Sequence, residues 1–171
     1  MRFLATMLKT LLLSLLVSGA AWAQSHDISL PQVSDLNTLG KTAEQQQTPI
    51  VLVVVSDGCP YCQLLEEEIL RPMQLSGEYD KKIHLQVLNQ NHSNYSLDFD
   101  GKARSPGEIA ERYHVRLVPT VLFLGPKGEE LAERLTGVGV IDYYWGYLDQ
   151  AIEEARGKLQ PQQDGQPVTD L

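Results

Sequence analysis

The chain holds two cysteines, and they stand three positions apart in Cys59-Pro60-Tyr61-Cys62. A bridge between them closes almost no loop, so it contributes little to stability, and chemistry is the better reason for the pair. At the start of a helix this spacing places both sulfurs over one face, close enough to form a disulfide. Helix N-terminal N–H groups and the helix dipole favour an anion there, so the thiolate of Cys59 is favoured over the thiol. Cys59 is then the exposed nucleophile. Cys62, one turn inside, attacks the mixed disulfide and releases the product. Such a site needs no cofactor beyond a redox-active Cys59–Cys62 disulfide.

Other chemistries use the same residues. Half of a zinc site is one, but zinc takes four ligands and the chain has no second cysteine pair. The four histidines (His26, His84, His92, His114) are scattered, without a paired metal-ligand spacing. A copper(I) ion held or carried between the two thiolates stays open as an alternative, since soft thiolates suit that ion.

The elements that must position the pair are legible around it. Ile50 to Val55 is an unbroken aliphatic run, as expected of a strand buried on both faces. Ser56-Asp57-Gly58 turns the chain. Pro60 suits the first turn of a helix, where its missing N–H costs nothing. Leu64, Leu65, Ile69 and Met73 mark that helix's apolar face, Glu66 to Glu68 face water, and Pro72 should kink or end it.

Upstream, Val33 to Gln47 carries Val33, Leu36, Leu39 and Ala43 at helical spacing, ended by Pro49. Downstream, Ile83 to Leu88 alternates as a strand. Asn89 to Arg104 reads as polar and irregular, with Tyr95 and Phe99 either touching a substrate or pinning the loop. Ser105 and Glu108 form a capping-box pattern for a helix reaching about Tyr113. Pro119 to Leu124 and Glu130 to Leu135 read as a hairpin around Pro126-Lys127-Gly128. Ile141 to Arg156 makes a last helix with Tyr144, Tyr147, Leu148, Ala151 and Ile152 on one face. The order predicts an α/β fold, a central mixed sheet flanked by helices.

Residues 1–23 read as a cleaved signal peptide: Arg2 and Lys9, a short apolar run from Leu11 to Val17, then Ala21-Trp22-Ala23. The run is shorter than the ~20 residues that span a bilayer. Residues 24–32 read as a flexible leader, 33–156 as the folded domain and 157–171 as a disordered tail. The full chain of 171 residues carries a net charge of −8, and without Arg2 and Lys9 it carries −10, from 12 basic and 22 acidic residues. That charge disfavours nucleic acid and anionic membranes as partners. The mature chain is expected in the periplasm, not embedded in the membrane, and as a monomer.

Val118-Pro119-Thr120, downstream of a Cys-x-x-Cys helix, resembles the thioredoxin superfamily over Ile50 to Arg156. Gly125-Pro126-Lys127-Gly128 and Gly137 before the last helix add to the likeness. The resemblance implies a thioredoxin fold with an insertion before the third helix and a cis proline at Pro119. It also implies a substrate groove formed by Pro60, Tyr61, Val118, Pro119 and Thr120. The sequence is similar to exported thioredoxin-related proteins associated with sulfur oxidation (the SoxW type). That implies a reductase of disulfide-bearing exported proteins, recharged by a membrane electron-donor protein.

Two departures qualify the likeness. Glutaredoxins share Cys-Pro-Tyr-Cys but carry a Gly-Gly motif that binds glutathione, where this chain has only Gly137-Val138-Gly139. The shared Cys-Pro-Tyr-Cys keeps glutathione-dependent reduction as an alternative reading, and the missing Gly-Gly motif counts against it. Thioredoxins bury an Asp six residues before the first cysteine, and that position is Val53. The proton of Cys62 must then leave through water or another base, for which Glu66 is the candidate acceptor.

Overall fold

A computed structural model describes residues 29–160. The expected signal peptide, most of the expected leader and most of the expected tail lie outside the described residues. In chain order the elements are α1 (Leu36–Gln46), β1 (Ile50–Val55), α2 (Pro60–Leu65), a π-helical turn (Glu66–Leu70), α3 (Arg71–Ser76) and β2 (His84–Asn89). They continue with β3 (Ser96–Leu97), β4 (Ala103–Arg104), α4 (Pro106–Arg112), β5 (Thr120–Leu124), β6 (Leu135–Thr136) and α5 (Ile141–Leu159).

The main sheet has the order β2-β1-β5-β6. β1 pairs parallel with β2, from Ile50↔His84 to Val55↔Asn89, and antiparallel with β5, from Ile50↔Leu124 to Val54↔Thr120. The aliphatic run of β1 is explained by helices on both faces. Val51 and Val53 pack with Leu65, Ile69 and Met73 and with Tyr144, Leu148 and Ile152 of α5. Ile50, Leu52 and Val54 pack with Leu36 and Ala43 of α1 and Ile109 and Ala110 of α4. Each face removes apolar area from water, at roughly 25 cal/mol per Å².

Several sequence expectations are corrected. Pro72 does not end the helix, which runs on to Ser76. A π turn intervenes, with the Arg71 N–H bonded to the Glu66 carbonyl, so Pro72 falls in a first turn where no N–H is missed. Val33 lies outside α1, which starts at Leu36 behind the Asp35 cap, and its N–H donates to Val87 O at 3.0 Å. The end of the expected leader is part of the fold: Leu30 is buried and Pro31 O accepts from Val87 N at 2.7 Å. At the other end α5 extends to Leu159, three residues beyond the expected Arg156. Tyr147 is 59% exposed, because α5 buries a narrower stripe through Tyr144, Leu148, Ala151 and Ile152.

The β5 partner is shorter than Glu130 to Leu135. A bridge Leu124↔Glu130 and the pairs Thr120↔Thr136 and Val121↔Leu135 flank a bulge that turns Leu131 and Ala132 inward. Of the stretch from Asn89 to Arg104, residues 90–95 are irregular as expected, but Ser96 to Arg104 is an ordered hairpin, β3 against β4. Asp98, 1% exposed, is held there by Arg104 at 2.8 Å and by Arg112 of α4. Phe99 packs against Gly128, whose positive φ and contact with the ring leave no room for a Cβ. Phe99 thus pins the segment, while Tyr95 points to solvent.

Candidate active site

The β1 strand delivers the chain into the turn Ser56-Asp57-Gly58, where Gly58 adopts a φ of +65° that glycine reaches without strain. Cys59 follows in extended conformation as the N-cap of α2, and Pro60 takes the first helical turn. The Cys62 N–H points at Cys59 Sγ, 3.1 Å away, and the carbonyl of Cys59 accepts from Cys62 N at 3.1 Å and Gln63 N at 3.2 Å. A donor aimed at Sγ stabilises negative charge on that sulfur when the pair is reduced. Cys59 and Cys62 are joined by a disulfide with Cα atoms 5.2 Å apart. Cys59 is partly open to solvent while Cys62 is 6% exposed, so one sulfur faces outward and the other inward.

The turn ahead of the cysteines is tied by a ring of three hydrogen bonds that sequence reasoning missed. Asp57 N donates to Asn91 Oδ1 at 3.0 Å, Asn91 N donates to Asn89 Oδ1 at 3.0 Å, and Asn89 Nδ2 donates to Asp57 Oδ1 at 2.7 Å. Asparagines bonding backbone near a strand end are a turn signal, but their partner more than thirty positions away is not written in the sequence.

The segment before β5 closes the other side. Cys59 Sγ lies 3.9 Å from Val118 O, and the Val118–Pro119 peptide is cis. Pro119 is buried and its carbonyl accepts from Gly137 N at 2.7 Å, which draws the approach to α5 alongside. The Val118 N–H has no hydrogen-bond partner among the described residues. Thr120 is 1% exposed and does not line the surface; its hydroxyl donates to Leu117 O at 2.7 Å and holds the bend from below. Around the pair, Tyr61 is 61% exposed and Leu117 64%.

Glu66 opens the π turn, its N–H bonded to the Cys62 carbonyl and its carboxylate to Arg71 at 2.8 Å. Val53 is fully buried in the apolar core. Among the described residues no three His, Cys, Asp or Glu side chains cluster as metal ligands, and no helix is long and apolar enough to cross a membrane.

A model of the thioredoxin-like domain family matches residues 36–152, more than half of the chain. The chain belongs to the thioredoxin-like family. Solved structures share the fold of this thioredoxin-like protein. A thioredoxin from Thermus thermophilus is 20% identical over 81% of this chain and 98% of its own, with a TM-score of 0.55. A DsbH oxidoreductase is 19% identical over 80% of this chain and 95% of its own, with a TM-score of 0.53. No curated protein sequence matches the chain significantly. The family and the fold account for a mixed sheet with a Cys-x-x-Cys disulfide at the mouth of a helix, an arrangement consistent with thiol–disulfide exchange.

Proposed function

We propose that the protein is an exported thiol–disulfide oxidoreductase that reduces disulfides of other exported proteins. The observation that carries this reading is the asymmetric pair: Cys59 accessible at the N-cap of α2 beside the Val118 carbonyl, Cys62 buried behind it. In the reduced protein the Cys59 thiolate attacks one sulfur of a substrate disulfide, and the other substrate sulfur leaves as a thiolate. Cys62 loses its proton and attacks Cys59 Sγ, releasing the second substrate thiol and leaving the Cys59–Cys62 disulfide. Two electrons from a donor then restore the dithiol.

Pro60, Tyr61, Val118 and Pro119 form the groove for an extended substrate, whose backbone bonds the unpaired Val118 N–H, and Thr120 supports them. Glu66 or water accepts the Cys62 proton. With Glu66 in that role, Glu66→Gln shifts the pH–rate profile of disulfide reduction, and an unchanged profile removes Glu66 from the mechanism.

Export rests on the signal-like residues 1–23; in this reading the mature chain works as a monomer in the periplasm and resembles the SoxW type. That compartment is oxidising, so the reducing direction requires a membrane electron donor. The direction itself turns on little energy, since ~30 mV corresponds to about 1.4 kcal/mol.

The test is reduction of insulin disulfides with dithiothreitol as electron source. Wild type should accelerate it and Cys59→Ser should not. No acceleration by wild type, together with tight copper(I) binding, would replace this reading with a copper carrier. Cell fractionation should find the processed chain in the periplasm; an unprocessed cytoplasmic chain would remove export.

A further inference from the structure

The described arginines divide sharply. Arg71 pairs with Glu66, Arg104 and Arg112 with Asp98, Arg134 with Glu130, and Arg156 with Glu153. Arg116 alone has no acidic partner among the described residues, in a chain with 22 acidic residues to choose from. It is exposed, and it stands two residues before Val118, whose carbonyl lies 3.9 Å from Cys59 Sγ.

Behind it is a cavity of about 230 Å³ lined by Gln90, Gly107, Ala110, Glu111, His114, Val115 and Arg116. Gln90 donates its N–H to Val55 O at 3.0 Å, so this cavity abuts the end of β1 from which the cysteine turn departs. The recess therefore adjoins the end of β1 from which the cysteine turn departs, and Arg116, which lines it, is two residues along the chain from Val118. Glu111, on the last turn of α4, lines the same recess without pairing with Arg116, so a partner carboxylate is expected to meet the guanidinium from the solvent side.

We propose that Arg116 and this recess form a carboxylate-recognition subsite that selects partner polypeptides with an acidic residue close to the attacked cysteine. The inference rests on the redox reading above. A partner backbone lying against Val118 carries its side chains past the groove in steps of two, roughly 7 Å apart. An Asp or Glu two positions from the partner cysteine then reaches Arg116, whose planar fork suits a carboxylate. The preference runs against the acidic net charge of the whole chain. It survives because charges beyond about 8 Å are screened at physiological salt, whereas a direct pair is screened less.

The experiment measures kcat/KM of the full mature protein for three synthetic peptide disulfides. They differ only in carrying Glu, Gln or Lys two positions from the cysteine. Wild type should favour the Glu peptide over the Gln peptide by about two- to fivefold, the range of an exposed ion pair. Arg116→Glu should invert the order in favour of Lys, and Arg116→Lys should keep part of the Glu preference. Equal rates for all three peptides with wild type, or a wild-type preference for Lys, would overturn the subsite while leaving the redox reading intact. An equal loss on all three peptides in Arg116→Glu, with their ratios unchanged, would overturn it too. If wild type exchanges none of them, the redox reading fails and the subsite with it.

Discussion

The side-chain amide of Asn89 donates to Asp57 Oδ1 at 2.7 Å, joining the end of β2 to the turn two residues ahead of Cys59. With Asn91 it forms a closed ring that includes two backbone N–H groups. Replacing Asn89 by Ala should open the ring and let Gly58 and Cys59 wander from their place against Val118. The Asn89 side chain makes two of the three bonds, each worth about 0.5–1.5 kcal/mol, so kcat/KM for disulfide exchange should fall by at least about two- to tenfold. A steady-state assay checks this, and an unaltered rate would mean that the β1 end and α2 suffice to hold the turn.

The two cysteines should differ in reactivity once reduced. The Cys62 N–H and the helix end act on Cys59 Sγ, and Cys62 is 6% exposed. A donor and a helix end aimed at Cys59 Sγ favour its thiolate, the reactive form, over that of the enclosed Cys62. Mass-resolved alkylation with iodoacetamide should therefore mark Cys59 first. Cys62→Ser should accumulate mixed disulfides with a model substrate, and Cys59→Ser should not. Preferential labelling of Cys62 would reverse the assigned roles.

Asp98 anchors the hairpin between β2 and α4 through Arg104 and Arg112. Removing one partner of a buried ion pair typically costs about 3–5 kcal/mol, because the remaining charge is stranded. Asp98→Asn should cost less than that, about 1–3 kcal/mol, since Arg112 is half exposed and Arg104 keeps its bonds to Asp100. Urea unfolding monitored by fluorescence would read it. A change below about 0.5 kcal/mol would mean that Phe99 and the Ser96 hydroxyl bond to Val33 O carry the anchoring.

Burial holds the imidazole of His84 below its ordinary pKa of 6.5. The unfolded chain therefore takes up a proton in a range where the folded chain does not. Stability from this group is present above about pH 6.5 and is lost as the pH falls from there through the folded value. The melting temperature should decline from pH 7.5 to 5.5, and His84→Gln should flatten that decline. A wild-type profile that is level over this interval would contradict the assignment.

Sequence patterns reached the strands and helices whose cause is local. The run Ile50 to Val55 and the Ser105–Glu108 box behave as their own residues require. Failures occurred where a distant partner decides. The hairpin β3–β4 depends on Asp98 meeting Arg112 fourteen residues on, so its polar composition read as irregular. The helix continues through Pro72 because the π turn, which keeps Ile69, Leu70 and Met73 in the core, absorbs the missing donor. Tyr147 continues the helical period of Tyr144, yet the width of the stripe that α5 buries is set by the sheet beneath it.

The sequence by itself determined the chemistry: two thiols three apart, after a buried strand and at a helix start, are a dithiol pair because that spacing is short and local. It did not determine what surrounds them. The antiparallel register of β1 and β5, with Val54 opposite Thr120, carries Val118 to Cys59 across 59 positions of chain. The same folding brings Asn89 to Asp57 and leaves Arg116, two residues before Val118, without an acidic partner among the described residues. Such contacts follow from how strands align, and strand alignment is decided by the packing of both faces of the sheet together.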